Sequence, residues 1–293
     1  MQQFLIPVLF VVVWSTGFII ARAAAPHADL QLFLFLRFLA SALILGIVAA
    51  VSHAPWPCGR QRVAHLLLGA LMLGVYVTCS YWAVAQGLPA GIMSLLGALQ
   101  PLCTALILVI FVRQRLQART WAGLAVGLGG VALVLAPKLA AGSAAPLKWA
   151  TVAAALISIL AVTIGTLSQR RLSSTNIWSA ASTQNCGAAI TALVAMLSIG
   201  HAHWDGTPSL WAALAWAVIG TSVLASTLLV WMVRHGEATK VTALMLLVPP
   251  LAAIQAYFLF HETLSPMQLI GFALALGGVV LARSGGAAAT AVK

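Results

Sequence analysis

Long apolar runs separated by short polar punctuation fill the chain. Ten of them are legible: Phe4–Ala21, Leu30–Val51, Val63–Gln86, Leu88–Val112, Trp121–Pro137, Trp149–Gln169, Ile177–Ile199, Leu210–Val233, Val241–Phe260 and Leu264–Ala282. About 20 apolar residues carry a helix across the hydrocarbon core of a bilayer. Backbone polar groups in lipid must be satisfied within the segment, which makes helices the expected form. The runs do not alternate with a period of two, so a transmembrane β-barrel is excluded. Met1-Gln2-Gln3 lacks the basic start of a secretory leader, and the first run is expected to be a span. The fold class expected is an all-α integral membrane protein of ten transmembrane helices.

Composition agrees. Of 293 residues, 62% are hydrophobic and 6% charged, where a soluble domain carries about 25% charged residues. The net charge of +11 comes from cations placed singly between apolar runs, which suits loops facing anionic headgroups better than a nucleic-acid partner. With the N-terminus inside, the inner loops and tail hold Arg60, Arg62, Arg113, Arg115, Arg119, Arg170, Arg171, Arg234, Lys240, Arg283 and Lys293, and the outer loops only Arg22, Lys138 and Lys148. That bias puts both termini in the cytoplasm. Cys58, Cys79, Cys103 and Cys186 lack metal or redox spacing and read as small hydrophobes.

The two halves match at an offset of 148: Gly17 with Gly165, Pro101 with Pro249, Gly123 with Gly271, and Gly129-Gly130-Val131 with Gly277-Gly278-Val279. Five spans per half invert the second half relative to the first, an arrangement typical of secondary transporters. The units are residues 1–137 and 148–283, with a linker over 138–147 and a cytoplasmic tail over 284–293.

Polar atoms near mid-span mark a candidate cavity, because such groups in hydrocarbon turn toward the bundle interior or water. The candidates for substrate binding are Trp14, Ser15, Tyr76, Ser80, Gln100, Ser158, Thr163 and Ser222. A hydroxyl that bonds back to its own helix is the alternative reading for each Ser and Thr. Pro101 and the Pro249-Pro250 pair sit near the centres of the fourth and ninth spans, and a mid-helix proline frees the carbonyl four residues back, so they are expected to act as hinges. Trp56, Trp121, Trp149, Trp204 and Trp211 fall at span ends, as an interfacial belt does. The glycines of the fifth and tenth spans read as scaffold or dimer contacts. Arg37, inside the second span, either snorkels to the headgroups or pairs with carbonyls or a substrate carboxylate; the sequence leaves both open. Asp29, Asp205, Glu237 and Glu262 all fall in loops, and no span core is assigned an acid or a histidine. Direct proton coupling at a midplane carboxylate is therefore not expected, though Glu262 or Glu237 remains available as a gate. His201-x-His203-x-Asp205 is a weak metal motif in a loop. No metal, cofactor or catalytic group is expected.

The pattern Ala90…Ser94-Leu95-Leu96…Pro101, then Arg113…Leu116…Gly123…Gly129-Gly130, resembles the repeat unit of the EamA family in the drug/metabolite transporter superfamily. A second copy runs Gly236-Glu237-Ala238…Pro249…Glu262…Leu264…Gly271…Gly277-Gly278, and Trp14-Ser15-x-Gly17 with Arg37-Phe38 match the opening helices. The resemblance covers nearly the whole chain and departs at Gln114, where an acid is common. It implies a ten-helix carrier of a bacterial-type inner membrane, similar in size to amino acid exporters of the YddG type. It also implies that helices one, three, four, six, eight and nine line the cavity, which ranks Gln184 and Asn185 of the seventh span lower.

The function expected is uniport-like export, by alternating access, of amino acids or similar small amphipathic metabolites. The partners expected are a small-molecule substrate and the lipid bilayer, with the chain a monomer or homodimer. Neutral hydrogen-bonding groups suit a zwitterion better than a polyanion, and an organic cation would want a buried acid. The alternatives are a multidrug exporter, a channel or a membrane scaffold; an intramembrane enzyme would need a catalytic dyad.

Overall fold

The computed structural model describes residues 2–113, 117–139, 148–169, 172, 176–201, 203–225, 227–228, 232 and 244–290. Eight helical stretches are long and apolar enough to cross a membrane: α1 Ile6–Ala24, α2 Leu30–Val51, α3 Gly59–Ala85, α4 Ala90–Phe111, α5 Ala118–Pro137, α6 Trp149–Gln169, α7 Ile177–Ile199 and α8 Pro208–Ala225. Two shorter apolar helices follow, α9 Met245–Phe260 and α10 Pro266–Ala282. Large apolar side chains project outward all round the bundle, Val51, Phe111 and Leu197 among the most exposed. A surface of this kind is stable only when its solvent is lipid.

Boundaries follow local chemistry. Asp29 caps α2, its carboxylate accepting from the Gln31 N–H at 2.7 Å, and Asn176 caps α7 through the Trp178 N–H at 2.9 Å; both satisfy N–H groups that a helix start leaves without partners. The helix of α5 runs two residues past its expected end, to Leu139. That of α10 continues to Thr290, into the stretch expected to be a tail. The remainder of the linker, the loop holding Glu237, and Gln114 lie outside the described residues.

The tightest interface joins α5 to α10. A Cβ on Gly123 or Gly130 would strike the backbone of Ala282 or Ala275, and one on Gly278 the backbone of Gly127. Gly129 and Gly277 face open space. Two further pairings, α2 with α7 and α4 with α9, hold the rest of the bundle, while α3 packs on α6 and α7, and α8 on α1 and α2. Gly69, Gly74 and Gly187 allow the close approach of α3 to α7.

Several stretches are interrupted. α1 breaks at Thr16, between Gln2–Ser15 and Gly17–Ala24. α4 breaks at Leu99, and α9 opens with a tight 3₁₀ turn over Met245–Leu247. Wider π turns occupy Ala70–Val75 in α3 and Trp216–Ala225 in α8. Shifted by the same 148 residues, the first π turn falls inside the second.

Candidate substrate site

The prolines lie where the chain can accommodate them. Pro101 is the second residue of the segment Gln100–Val112, and Pro249 the second of Val248–Phe260, with Pro250 next. In the first turn of a helix the missing N–H costs nothing. The expected mid-helix kink is thus a break followed by a fresh helix start, at matched positions in α4 and α9.

The polar centre is built around Arg37. It does not snorkel: its residue is 9% exposed. Its Nη1 donates to the Tyr81 hydroxyl at 2.9 Å, Nη2 to Thr221 Oγ1 at 2.8 Å and Nε to Ser222 Oγ at 3.3 Å. Tyr81 in turn donates to the Gly17 carbonyl at 2.8 Å, and Thr221 to the Ala217 carbonyl at 2.7 Å. One guanidinium therefore ties α2 to α3, to the π turn of α8 and, through Tyr81, to the break in α1. Every partner is neutral, and the ring centres of Phe38 and Tyr81 sit 5.6 and 5.9 Å from the guanidinium carbon. π turns recur at functional sites because they rotate side chains out of helical register; here the turn presents Thr221 and Ser222 together.

Of the expected site residues, Ser222 belongs to this cluster directly. Tyr76 borders it: Arg37 and Tyr81 are its electrostatic neighbours, its ring meets Phe18 edge-on at 6.5 Å, and its hydroxyl makes no hydrogen bond among the described residues. Space remains beside these groups. A Cβ on Gly17 would meet no atom within 4 Å, and one on Gly97 only the Tyr76 hydroxyl, at 4.0 Å.

Ser15 and Gln100 form satellites. The Gln255 amide donates to Ser15 Oγ at 2.8 Å, which joins α9 to α1, and Gln255 Oε1 is buried without a partner among the described residues. The Gln100 amide donates to Thr166 Oγ1 at 3.0 Å, which joins α4 to α6. Trp14 leans on Phe10, ring centres 5.4 Å apart, in an apolar cluster with Val11, Met232 and Val248. Ser80, Ser158 and Thr163 are fully buried and donate to carbonyls of their own helices, those of Tyr76, Ala155 and Ile159. The protons of these three hydroxyls are spent within their own helices.

Gln184 pairs with His65 at 3.3 Å in the α3–α7 seam, and Asn185 bonds back to the Ala181 carbonyl. His65 lies near the start of α3, 2% exposed, inside the expected third run but outside the span cores from which histidines were expected to be absent. Sequence reasoning passed over Gln255 and Trp216, whose indole N–H donates to Thr16 Oγ1 at 2.9 Å. Neither stood in a polar cluster along the chain.

One end of the bundle carries a second set of polar contacts. Arg22 at the end of α1 pairs with Glu262 beyond α9 at 3.2 Å, and the other Glu262 oxygen accepts the Ala90 N–H, at the start of α4, at 3.1 Å. Negative charge is favoured at such a helix start. Around this tie lies a shallow cavity of about 320 Å³ lined by Val84, Leu88 and Phe260, with none of Arg37, Tyr81, Thr221 or Ser222 among its lining residues. At the same end Asp205 binds His27 at 2.6 Å, and Ala28 bridges to Trp204. The His201-x-His203-x-Asp205 run assembles no metal cluster: among the described residues no three such side chains converge.

Fold and polar centre are those of a multi-pass membrane transporter. The chain belongs to the EamA-like transporter family, whose model matches twice, over residues 3–136 and 148–284. A probable terminal-alkyne amino-acid exporter of Streptantibioticus cattleyicolor is 26% identical over 94% of this chain and 91% of its own length. The uncharacterized inner membrane transporter YedA of Escherichia coli is 21% identical over 94% of this chain and 88% of its own. A solved crystal structure superposes with a TM-score of 0.64 over 95% of both chains at 20% identity, a likeness of fold alone.

Proposed function

We propose that this protein is a secondary transporter that exports amino acids or similar small amphipathic metabolites by alternating access. The observation that carries this reading is the hydroxyl-lined centre around Arg37, contributed by α1, α2, α3 and α8 and bordered by open space at Gly17 and Gly97. A pocket of that make-up offers hydrogen bonds to a zwitterion. It repels an organic cation, because its one formal charge is positive. The named exporter among the relatives supports the direction of travel.

The ten apolar helices are ten spans in two five-helix repeats of inverted topology, with both termini cytoplasmic. Matched packing supports this. Three main pairings, α2–α7, α4–α9 and α5–α10, join equivalent helices, and α3 on α6 answers α8 on α1, as a two-fold axis in the membrane plane demands. The matched breaks in α4 and α9 are the hinges about which the halves rock, with Pro101, Pro249 and Pro250 starting the moving segments. The end tied by Arg22 and Glu262 is then the outer face, and the state described is sealed there. No carboxylate lies at the centre among the described residues, so transport is uniport-like and needs no proton gradient.

The test is reconstitution in liposomes with a panel of labelled amino acids, with and without an imposed pH gradient. Saturable flux independent of the gradient is expected. Strict dependence on the gradient overturns the uniport reading, and flux that never saturates indicates a channel.

A further inference from the structure

Arg37 carries more charge than its surroundings answer. Its hydroxyl partners are dipoles, and Tyr81 and Thr221 already donate elsewhere, so each acts toward Arg37 purely as an acceptor. A guanidinium has five N–H donors; three are engaged, one of them over a long 3.3 Å contact to Ser222, and the other two have no partner among the described residues. A buried ion without a counter-ion is strongly disfavoured. Five residues before Tyr81 on α3 stands the Tyr76 hydroxyl, half-buried, without a hydrogen bond among the described residues and 4.0 Å from where a Cβ on Gly97 would sit.

We infer that Arg37 and the Tyr76 hydroxyl form an anion subsite that binds the carboxylate of the transported molecule. This rests on the exporter reading above and sharpens it: the substrate must bring a carboxylate, which completes the charge that the protein leaves open. The carboxylate accepts from the free N–H groups and from Tyr76, and it competes with the long Ser222 contact. Because Ser222 lies in the π turn of α8 and Tyr81 holds the break in α1, filling the subsite reaches both helices at once. Loading then removes an uncompensated charge from the centre, which lowers the cost of the intermediate in which that centre is closed off from water on both sides.

The test uses the full-length protein in liposomes, with phenylalanine, phenylalanine amide and phenethylamine as a matched series. Inhibition of labelled phenylalanine uptake is measured for each, together with protection against thermal unfolding in detergent. With the parent protein, the two compounds lacking a carboxylate should compete at least tenfold more weakly than phenylalanine. Tyr76→Phe should raise the half-saturation for phenylalanine several-fold while the protein melts normally. Arg37→Lys should retain partial transport that Arg37→Gln lacks. Equal competition by amide and acid removes the subsite while leaving an amino acid exporter in place. Transport of phenethylamine without phenylalanine overturns both. If none of the three is moved and none protects against unfolding, both readings fall together. An Arg37→Gln protein that still prefers the acid tenfold also overturns the assignment.

Discussion

The α5–α10 seam and the Arg37 centre solve the same problem by opposite means. Lipid gives helices no hydrophobic reason to associate, so contact must come from close packing or from polar groups. The seam relies chiefly on close backbone packing, with two hydrogen bonds across it, from Thr120 to the Ala282 carbonyl and from Gln268 to the Val134 carbonyl. Gly123, Gly127, Gly130, Gly271 and Gly278 bring the two backbones within reach of each other. The centre uses polarity: four helices meet on one guanidinium, and space is left over. A seam fixed by backbone-to-backbone contact has one good arrangement. A cluster of hydroxyls has several of nearly equal energy, which is what a moving part requires. The lesson is a division of labour between α5 with α10 as a fixed frame and α1, α3, α4, α8 and α9 as the interrupted helices.

The sharpest way to break the comparison is to overfill the seam. Gly278→Leu places a side chain in the backbone of Gly127 and should abolish folded protein, since overpacking costs roughly 1–3 kcal/mol or more and the main chain cannot step aside. Gly277→Leu, one residue away and facing open space, should melt within a degree or two of the parent in detergent. Equal damage from both would mean that the α5–α10 interface is not the frame.

Next in size is Tyr81→Phe. It strips Arg37 of one acceptor and the Gly17 carbonyl of its donor. Hydrogen bonds to charged groups are worth about 1.5–3 kcal/mol, so a fall in melting temperature of several degrees is expected, together with slowed transport. A variant that melts normally and transports poorly would instead assign Tyr81 to the substrate.

How much of this was open to sequence reasoning depends on what kind of signal each residue left. Helix positions were readable because lipid demands long apolar runs, and the glycine seam was readable because GxxxG spacing has few other uses. Pro101 and Pro249 were found as interruptions of their spans, yet the form of the interruption was not legible, since a proline in a run does not reveal that a helix restarts one residue before it. Arg37 was visible as the one intramembrane charge; its partners were not, because they arrive from α3 and α8. Ser80, Ser158 and Thr163 look like Ser222 in a sequence. Only packing separates a hydroxyl spent on its own helix from one turned outward by a π turn. His65 fell inside the third run, but its pairing with Gln184 was not legible, because that partner arrives from α7.

A smaller effect is expected from the outer tie. Glu262→Gln keeps an acceptor for the Ala90 N–H and removes the charge that Arg22 meets. Arg22 is 43% exposed at its side chain, so the stability cost should stay under about 1 kcal/mol. The consequence lies in the balance of states. Labelling of a Leu88→Cys reporter by an impermeant maleimide should rise two- to fivefold as the outer seal opens more often. Unchanged labelling would make the Arg22–Glu262 pair a bystander and leave the Arg37 centre as the sole latch.

The smallest effect concerns the loops at that same end. The Thr207 backbone N–H, together with the Thr207 hydroxyl and His27, holds the Asp205 carboxyl below its ordinary value of 3.8. A carboxyl depressed on folding contributes its stabilisation above the unfolded value and loses it as pH falls through the folded one. The parent should therefore melt slightly above Asp205→Asn at neutral pH and converge with it below about pH 3.8. The group is solvent-exposed, so the difference should be small and should shrink in high salt. If the two proteins melt alike at every pH, the His27–Asp205 contact does not hold the outer loops. Loss of transport in Asp205→Asn at neutral pH would move that contact from the frame of the outer face to its gate.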